Sequence, residues 1–181
     1  NGWYVFDVKT PTENIQNLKF GLPGKHNLTN ALLALAMART FGTPTESIAK
    51  ALATFKGVKR RFSFQIRKEN FVYIDDYAHH PTEINAVHQA VRELYPNQKV
   101  LAVFQPHLFS RTKDFADDFA KSLSQFDDIL LLDIYPAREL QENFEGITSD
   151  WLLEKIDLEK KEKISLENAL NKIKEKDFDI L

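Results

Sequence analysis

The chain has 181 residues, a formal net charge of −2 and 43% hydrophobic residues. This length suits one domain with a full core or one and a fraction, with the composition of an ordinary globular protein. The charge argues against a general binder of nucleic acid or membrane surfaces, and no apolar run is long enough for a membrane span. The lack of cysteine excludes disulfides and thiolate metal sites, and it predicts a cytoplasmic protein. Because Met37 is the only methionine, we expect a piece of a longer protein.

The first third of the chain predicts two strands followed by two helices. Trp3 to Val8 and Ile15 to Phe20 are strand-like, and a glycine–proline loop at residues 21–27 follows them. Leu28 to Phe41 predicts a helix that is apolar on nearly every face, so we expect it to be buried. Gly42 ends that helix, and residues 43–46 open a second one.

After a predicted linker at residues 56–59, strands and helices alternate. Continuous apolar strands between helices indicate an α/β fold, here a Rossmann-like domain with a mostly parallel sheet. The charged run at residues 159–163 predicts a solvated surface turn. The predicted strands are Phe62 to Ile66, Phe71 to Asp75, Val100 to Phe104, Ile129 to Asp133 and Phe178 to Leu181. The predicted helices cover Ile84 to Leu94, Phe115 to Phe126, Ser149 to Lys155 and Leu166 to Ile173.

One strand-to-helix turn carries an unusual density of reactive side chains, in the sequence Asp75-Asp76-Tyr77-Ala78-His79-His80-Pro81-Thr82-Glu83. Pro81 suits the first helical position, where its missing N–H costs nothing. Such turns lie at the carboxyl ends of the strands, where α/β sheets bind ligands. The composition therefore indicates a reaction or a bound anion.

Two further turns should lie beside this one. Residues 105–113 follow one predicted strand and residues 135–139 follow the next. In a parallel sheet the three turns share one edge, so we expect three histidines to converge there with acidic and basic partners. These residues are His79, His80, His107, Asp75, Asp76, Arg111 and Arg138.

The electrostatics of this edge predict an anion site. Arg111 and Lys113 precede the helix predicted to include Phe115, and cations at a helix N-terminus oppose its macrodipole by ~0.3–1 kcal/mol each. An anion bound between that terminus and Arg111 would explain why cations occur at this unfavourable position. His79 and His80 lie at the start of the helix that Pro81 begins, and the dipole of that helix should favour their neutral forms.

Several residues also have purely structural interpretations. His88 lies on an apolar helix face, and Asp75 alone is more typical of a turn. Arg60 and Arg61 are either an exposed pair or ligand contacts at a hinge. Residues 21–26 look like a phosphate loop but lack its spacing, which needs Gly, four residues, then Gly-Lys-Ser/Thr.

Taken together, four motifs resemble the Mur ligase family. They are Gly24-Lys25-His26-Asn27-Leu28-Thr29-Asn30-Ala31, Gly57-Val58-Lys59-Arg60-Arg61-Phe62, the Asp75–Glu83 string, and Phe104-Gln105-Pro106-His107 with Ser110-Arg111-Thr112. The resemblance implies that residues 1–57 are the tail of a central ATP-binding domain. Residues 58–181 would be most of a Rossmann-like C-terminal domain that presents the amino acid.

Within the family, Tyr77 and the Gln105-Pro106-His107 string resemble the members that join L-alanine to UDP-N-acetylmuramate. The resemblance implies an ATP-dependent ligase of cytoplasmic peptidoglycan synthesis that works through an acyl phosphate. ATP and Mg²⁺ are the implied cofactors, with the main phosphate and metal ligands outside these residues. The chain alone should therefore be inactive.

The resemblance also implies roles for individual residues. The implied nucleotide contacts are His26, Asn27, Asn30, Arg61 and Asp76, and the implied L-alanine contacts are Tyr77, His79, His107 and Arg111. Arg61, His79 and His107 would take part in catalysis. Some family members have arginine where this chain has Leu108, so recognition of the alanine carboxylate should depend more on Arg111.

Three alternatives remain open. A murein-peptide recycling ligase belongs to the same family. A metal-dependent hydrolase would place Zn²⁺ or Mn²⁺ on side chains of the Asp/His turn, Asp75, Asp76, His79, His80 and His107. A non-catalytic nucleotide-binding or interaction module is the third possibility.

Overall fold

The computed structural model describes residues 3–181. Its first elements are a two-stranded antiparallel sheet and two helices, which confirms the predicted order. Strands β1 (Tyr4–Lys9) and β2 (Asn14–Phe20) pair, and helices α1 (Lys25–Thr40) and α2 (Thr45–Thr54) follow. Gly24 begins α1 at a φ of 92°, where a Cβ would lie 2.7 Å from the His26 ring. Glycine is therefore needed at this turn.

The expectation that α1 is buried is wrong. Ala31 and Leu35 are its buried residues, whereas Leu33 is 60% exposed and Met37 65% exposed. The buried pair belongs to a cluster with β2 and α2, which cover one side of the helix. In the part of the chain that the structure describes, an apolar helix thus has a partner on one face only.

The segment predicted to be a linker has neither helix nor strand, which is true of all residues between Thr54 and Ser63. Gly57, Arg60 and Phe62 all have positive φ there. Strands β3 (Ser63–Lys68) and β4 (Phe71–Asp75) then form an antiparallel pair.

The rest of the chain builds a parallel three-stranded sheet with helices. Its strands are β5 (Leu101–Phe104), β6 (Asp128–Leu131) and β7 (Lys161–Lys163). The helices are α3 (Pro81–Leu94), α4 (Phe109–Asp114), α5 (Ala116–Leu123), α6 (Ser149–Lys155) and α7 (Ala169–Glu175). The alternation confirms the predicted α/β class. Among residues 3–181 no helix is long and apolar enough to cross a membrane.

The prediction of a turn at 159–163 is wrong for the last three residues of this charged run. They form β7, which pairs with β6 at one edge of the sheet. Glu162 lies 2.8 Å from Lys172, and Lys163 lies 2.9 Å from both Asp133 and Asp150. Lysine is a common residue on edge strands because it discourages pairing with other chains.

The last four residues separate β4 from β5. Ile180 makes parallel bridges to Val72 on one side and Val100 on the other. The predicted terminal strand is therefore present as a short segment, and the turns after β4 and β5 are next-but-one neighbours rather than adjacent. The turns after β5 and β6 are adjacent, as predicted.

The C-terminal region has cores on both faces of its sheet. On one face β5 and β6 pack against α3, α5 and α6, with Ala90, Phe119, Ile129 and Leu152 each 0% exposed. On the other face Leu101, Leu130 and Ile164 pack with residues of α7. Burial on both faces explains why the strand sequences are apolar without alternation.

Candidate active site

A cleft of about 870 Å³ lies between α1 and α2 on one side and the linker and α3 on the other. Its apolar lining includes Leu22, Phe55 and Val58. Its polar lining includes all five residues for which a nucleotide contact is expected, namely His26, Asn27, Asn30, Arg61 and Asp76. Residues that are up to 50 positions apart in sequence thus meet at one surface.

The start of α1 places two of these side chains. The Gly24 N–H donates to Tyr4 Oη at 2.9 Å, and Asn27 Nδ2 donates to the Pro23 carbonyl at 2.7 Å. These bonds fix the turn before the helix and the orientation of the Asn27 amide. Asn30 lies almost one turn later and is exposed to the cleft.

Asp76 connects the linker to the turn after β4. Its carboxylate accepts hydrogen bonds from the Phe62 N–H at 2.7 Å and the Ala78 N–H at 2.8 Å. Burial raises its pKa above the ordinary value, against the effect of these two bonds. Phe62 is 2% exposed and has a φ of 47°, which is strained for a bulky side chain. Asp76 therefore stabilises a strained hinge as well as lining the cleft.

Glu83 is a site residue for which the sequence predicted no role. Its carboxylate accepts a hydrogen bond from the His79 N–H at 2.9 Å and lies 3.6 Å from an Arg61 guanidinium nitrogen. The His79 ring nitrogen Nδ1 is 3.4 Å away. Desolvation would raise the pKa of Glu83, but these partners together lower it. The sequence feature that could have indicated a role for Glu83 is its position in the first turn of α3, on the same side as the Asp/His turn.

Tyr77 and His79 lie at the carboxyl end of β4. The Tyr77 ring is 45% exposed, and the Arg60 guanidinium lies 4.5 Å from its centroid. The His79 ring meets Tyr77 edge-on at 5.4 Å, and its Nδ1 is 3.0 Å from the Tyr77 carbonyl oxygen. Two of the four predicted alanine contacts, Tyr77 and His79, are thus in contact with each other.

His80 and His88 have structural roles. His80 Nδ1 accepts a hydrogen bond from the Thr82 N–H at 3.3 Å, which caps α3, and the ring packs on Phe115 at 4.7 Å. His88 packs against Phe126, and burial lowers its pKa. The expected convergence of three histidines therefore reduces to His79 and His107, and the structural interpretation of His88 is supported.

His107 lies in the β5 loop, which we define as residues 105–108. Its ring stacks on Tyr135 at 5.4 Å. Within the described residues its Nδ1 is buried and has no hydrogen-bond partner. Desolvation, and then the charges of Arg111 and His79, lower its pKa below the ordinary value. The imidazole is therefore neutral near pH 7 and can accept a proton or a hydrogen bond.

The electrostatic argument about Arg111 and Lys113 is wrong in its geometry. Both residues lie in the last turn of α4, a short helix that ends before α5 begins, and there cations favour the macrodipole. The first turn of α4 already has an anion of the protein itself, because the Ser110 N–H donates to the Glu139 carboxylate at 3.0 Å. Arg111 is half-buried and close enough to His107 to affect its protonation.

A metal centre has no geometric support at this edge. Across residues 3–181, no group of three or more His, Asp or Glu side chains is arranged to hold an ion. Asp76 is turned toward backbone N–H groups of the linker and the β4 turn, and His80 caps a helix. Two of the five side chains that the hydrolase alternative needs are thus engaged with the backbone instead.

Comparison with known proteins identifies the class to which this fold and site belong. The family model of the Mur ligase, glutamate ligase domain matches residues 60–178. That is well over half of the chain, so the chain belongs to the Mur ligase family.

Individual relatives show which members of the family this chain resembles. The UDP-N-acetylmuramate–L-alanine ligases of Flavobacterium psychrophilum and Flavobacterium johnsoniae are 78% and 65% identical over all 181 residues. The chain spans about 40% of the length of these relatives. The crystal structure of UDP-N-acetylmuramate–alanine ligase MurC from Thermotoga maritima matches 90% of this chain and 34% of its own, with 30% identity and a TM-score of 0.69.

Proposed function

We propose that this chain is the C-terminal part of an ATP-dependent ligase that joins L-alanine to UDP-N-acetylmuramate in cytoplasmic peptidoglycan precursor synthesis. Residues 1–57 would complete the central ATP-binding domain and residues 58–181 would form the amino-acid domain. The identity to L-alanine ligases over the whole chain supports this assignment. The observation that carries it is Glu83, whose carboxylate contacts both Arg61 of the nucleotide cleft and His79 of the predicted alanine site.

The reaction would proceed in two steps. First, a carboxylate oxygen of the muramyl group takes the γ-phosphoryl group of ATP, and ADP leaves. The alanine amine then attacks the acyl carbon, the bond from carbon to the phosphate oxygen breaks, and inorganic phosphate leaves. The family chemistry implies that Mg²⁺ neutralises charge on the phosphates, with its ligands outside this chain.

The residues of the cleft suit the nucleotide. Apolar side chains such as Leu22 and Phe55 can cover an adenine, and the Asn30 amide offers both a donor and an acceptor to its edge. Arg61 lies at the hinge side of the cleft, where a guanidinium can stabilise the charge of a transferring phosphoryl group. Glu83 limits the directions that Arg61 can take.

The edge of the sheet suits the amino acid. Arg111 supplies the cation for the alanine carboxylate, since Leu108 offers none. His107 is neutral, so it can accept a hydrogen bond or the proton that the amine loses on attack. Tyr77 and His79 would close the other side of this pocket.

The test is acceptor-dependent ADP release by the full-length enzyme with ATP, Mg²⁺ and UDP-N-acetylmuramate. We expect turnover with L-alanine and a background rate without an acceptor. Turnover with a murein tripeptide but not with L-alanine would identify the recycling ligase instead. ADP release with neither acceptor would refute the ligase assignment.

A further inference from the structure

The β5 loop is joined to the loop that follows β6, which we define as the β6 loop, residues 132–140. The Tyr135 N–H donates to the Pro106 carbonyl at 2.8 Å, and the Leu108 N–H donates to the Tyr135 carbonyl at 2.9 Å. Gln105 adds a side-chain bond to the Asp133 carbonyl at 3.2 Å. The two loops therefore continue the parallel pairing of their strands past the edge of the sheet.

Glu139 extends this connection to α4. Its Oε2 accepts a hydrogen bond from the Ser110 N–H at 3.0 Å, and its Oε1 accepts one from the Ser110 hydroxyl. Desolvation would raise the pKa of Glu139, but these bonds hold it below the ordinary value. Glu139 is thus a charged group that binds the first turn of α4 from another loop.

Helix α4 needs support of this kind. It has six residues, and isolated helices of that length are not stable in water. It also follows Leu108, whose φ of 72° is unfavourable for a residue other than glycine. Phe109 is buried and stacks on Phe144 at 5.8 Å, which holds one side of the helix. Glu139 supplies the polar contact at its start.

The position of α4 determines the position of Arg111, which directly follows Ser110. The same loop pair holds His107 through its stacking on Tyr135. We propose that Glu139 is a positioning residue that sets the alignment of Arg111 and the β5 loop, and thereby the affinity for the amino-acid substrate. This inference rests on the proposed function, and it assigns to the β6 loop a role in binding the alanine carboxylate.

Three substitutions distinguish the contributions of the charge of Glu139, the length of its side chain and its Ser110 partner. Glu139→Gln keeps the size of the side chain but removes its charge and places an amide nitrogen where two donors converge. Glu139→Asp keeps the charge but shortens the side chain by one methylene. Ser110→Ala removes only the hydroxyl partner and leaves Glu139 in place. Glu142→Gln is the matched control, because Glu142 is an exposed carboxylate in the same segment of the chain.

The experiment measures steady-state kinetics of the full-length enzyme with each variant. Since hydrogen bonds to a charged group are the stronger ones, we expect Glu139→Gln to raise KM for L-alanine about tenfold. The KM for ATP should stay within about twofold, and Glu139→Asp should be partly active. The effects of Glu139→Gln and Ser110→Ala should combine to less than their product, because they disrupt one contact.

Several outcomes would overturn the inference. One is a KM for L-alanine in Glu139→Gln that equals that of Glu142→Gln. Equal increases in the KM values for ATP and L-alanine would indicate general loosening of the fold instead. If Glu139→Gln fails to fold, an unchanged KM in Ser110→Ala would refute it. A wild-type enzyme without alanine-dependent turnover would refute the proposed function, and the inference with it.

Discussion

The two regions of the chain differ in how far each completes its own core. Residues 58–181 bury both faces of a parallel sheet, with Phe119 and Leu130 at 0% exposure. Residues 3–57 bury one side of α1 and leave Met37 65% and Phe41 85% exposed. Residues 58–181 therefore cover their own core, whereas residues 3–57 have an apolar surface larger than their own elements cover.

This difference matters because the predicted site is divided between the two regions. His26, Asn27 and Asn30 belong to the incompletely covered region, whereas the other proposed nucleotide contacts, Arg61 and Asp76, and the proposed alanine contacts belong to the packed one. The Asp76 carboxylate holds the linker that joins them. We therefore expect the α1 side of the proposed nucleotide site to depend on whatever covers the exposed face of α1, and the proposed amino-acid site not to depend on it.

The largest expected effect tests the packing contrast. Phe119→Ala removes a fully buried ring and should reduce the free energy of unfolding of residues 1–181 by about 3–5 kcal/mol. Met37→Ala, on the exposed face of α1, should change it by less than about 0.5 kcal/mol. Urea unfolding followed by circular dichroism measures both. Similar losses for the two variants would contradict the contrast.

The next effect tests the junction between the regions. Glu83→Gln removes the carboxylate that Arg61 and His79 share, so kcat/KM of the full-length enzyme should fall about tenfold. Glu69→Gln, an exposed carboxylate in the turn between β3 and β4, is the control and should retain normal kinetics. If both variants kept wild-type kinetics, Glu83 would not connect the two parts of the site.

A smaller effect concerns acid stability at the same junction. The folded-state pKa of Glu83 lies below its ordinary value of 4.5. Its ionised form therefore stabilises the fold above about pH 4.5, and that stabilisation is lost as the pH falls through the lowered pKa. Unfolding free energies measured from pH 6 to pH 3 should show a smaller acid-induced loss in Glu83→Gln than in the wild type. Parallel pH profiles would contradict this.

The smallest effect is a shift in the titration of His107. Its pKa lies below the ordinary 6.5, so the neutral ring stabilises the fold at neutral pH. This contribution is lost as the pH falls from about 6.5 through the lowered pKa. An NMR titration of the ring, assigned with His107→Gln, should give a midpoint below 6.5. A midpoint at or above that value would mean that the ring is not desolvated by the β6 loop.

Much of the fold could be predicted from the sequence where a local pattern decides the structure. The strand at Phe71–Asp75 and the helix at Ser149–Lys155 were predicted at their observed bounds, because a short continuous apolar run and helical spacing leave a clear pattern. The edge strand β7 was missed because its side chains are charged and its pairing with β6 is a tertiary contact. The terminal segment between β4 and β5 is equally non-local.

In the candidate site too, local sequence patterns predicted some residues, and contacts between distant residues were missed. The motif turns indicated Asp76, Tyr77, His79 and His107, which do lie at the cleft or at the edge of the sheet. The short helix α4 was missed, because residues 105–113 were assigned to the turn after a strand, and a helix of six residues is too short to show a helical periodicity. The contacts of Glu139 come from a residue 29 positions after Ser110, a pairing that no local pattern encodes.

The most direct test of the divided site compares one residue from each region in the full-length enzyme. Asn30→Ala should raise KM for ATP by more than about tenfold and leave KM for L-alanine within about twofold. Arg111→Ala should do the reverse, because its guanidinium is proposed to bind the alanine carboxylate. If Arg111→Ala raised KM for ATP instead, or if both variants raised both values equally, the assignment of Asn30 to the nucleotide and of Arg111 to the amino acid would be wrong.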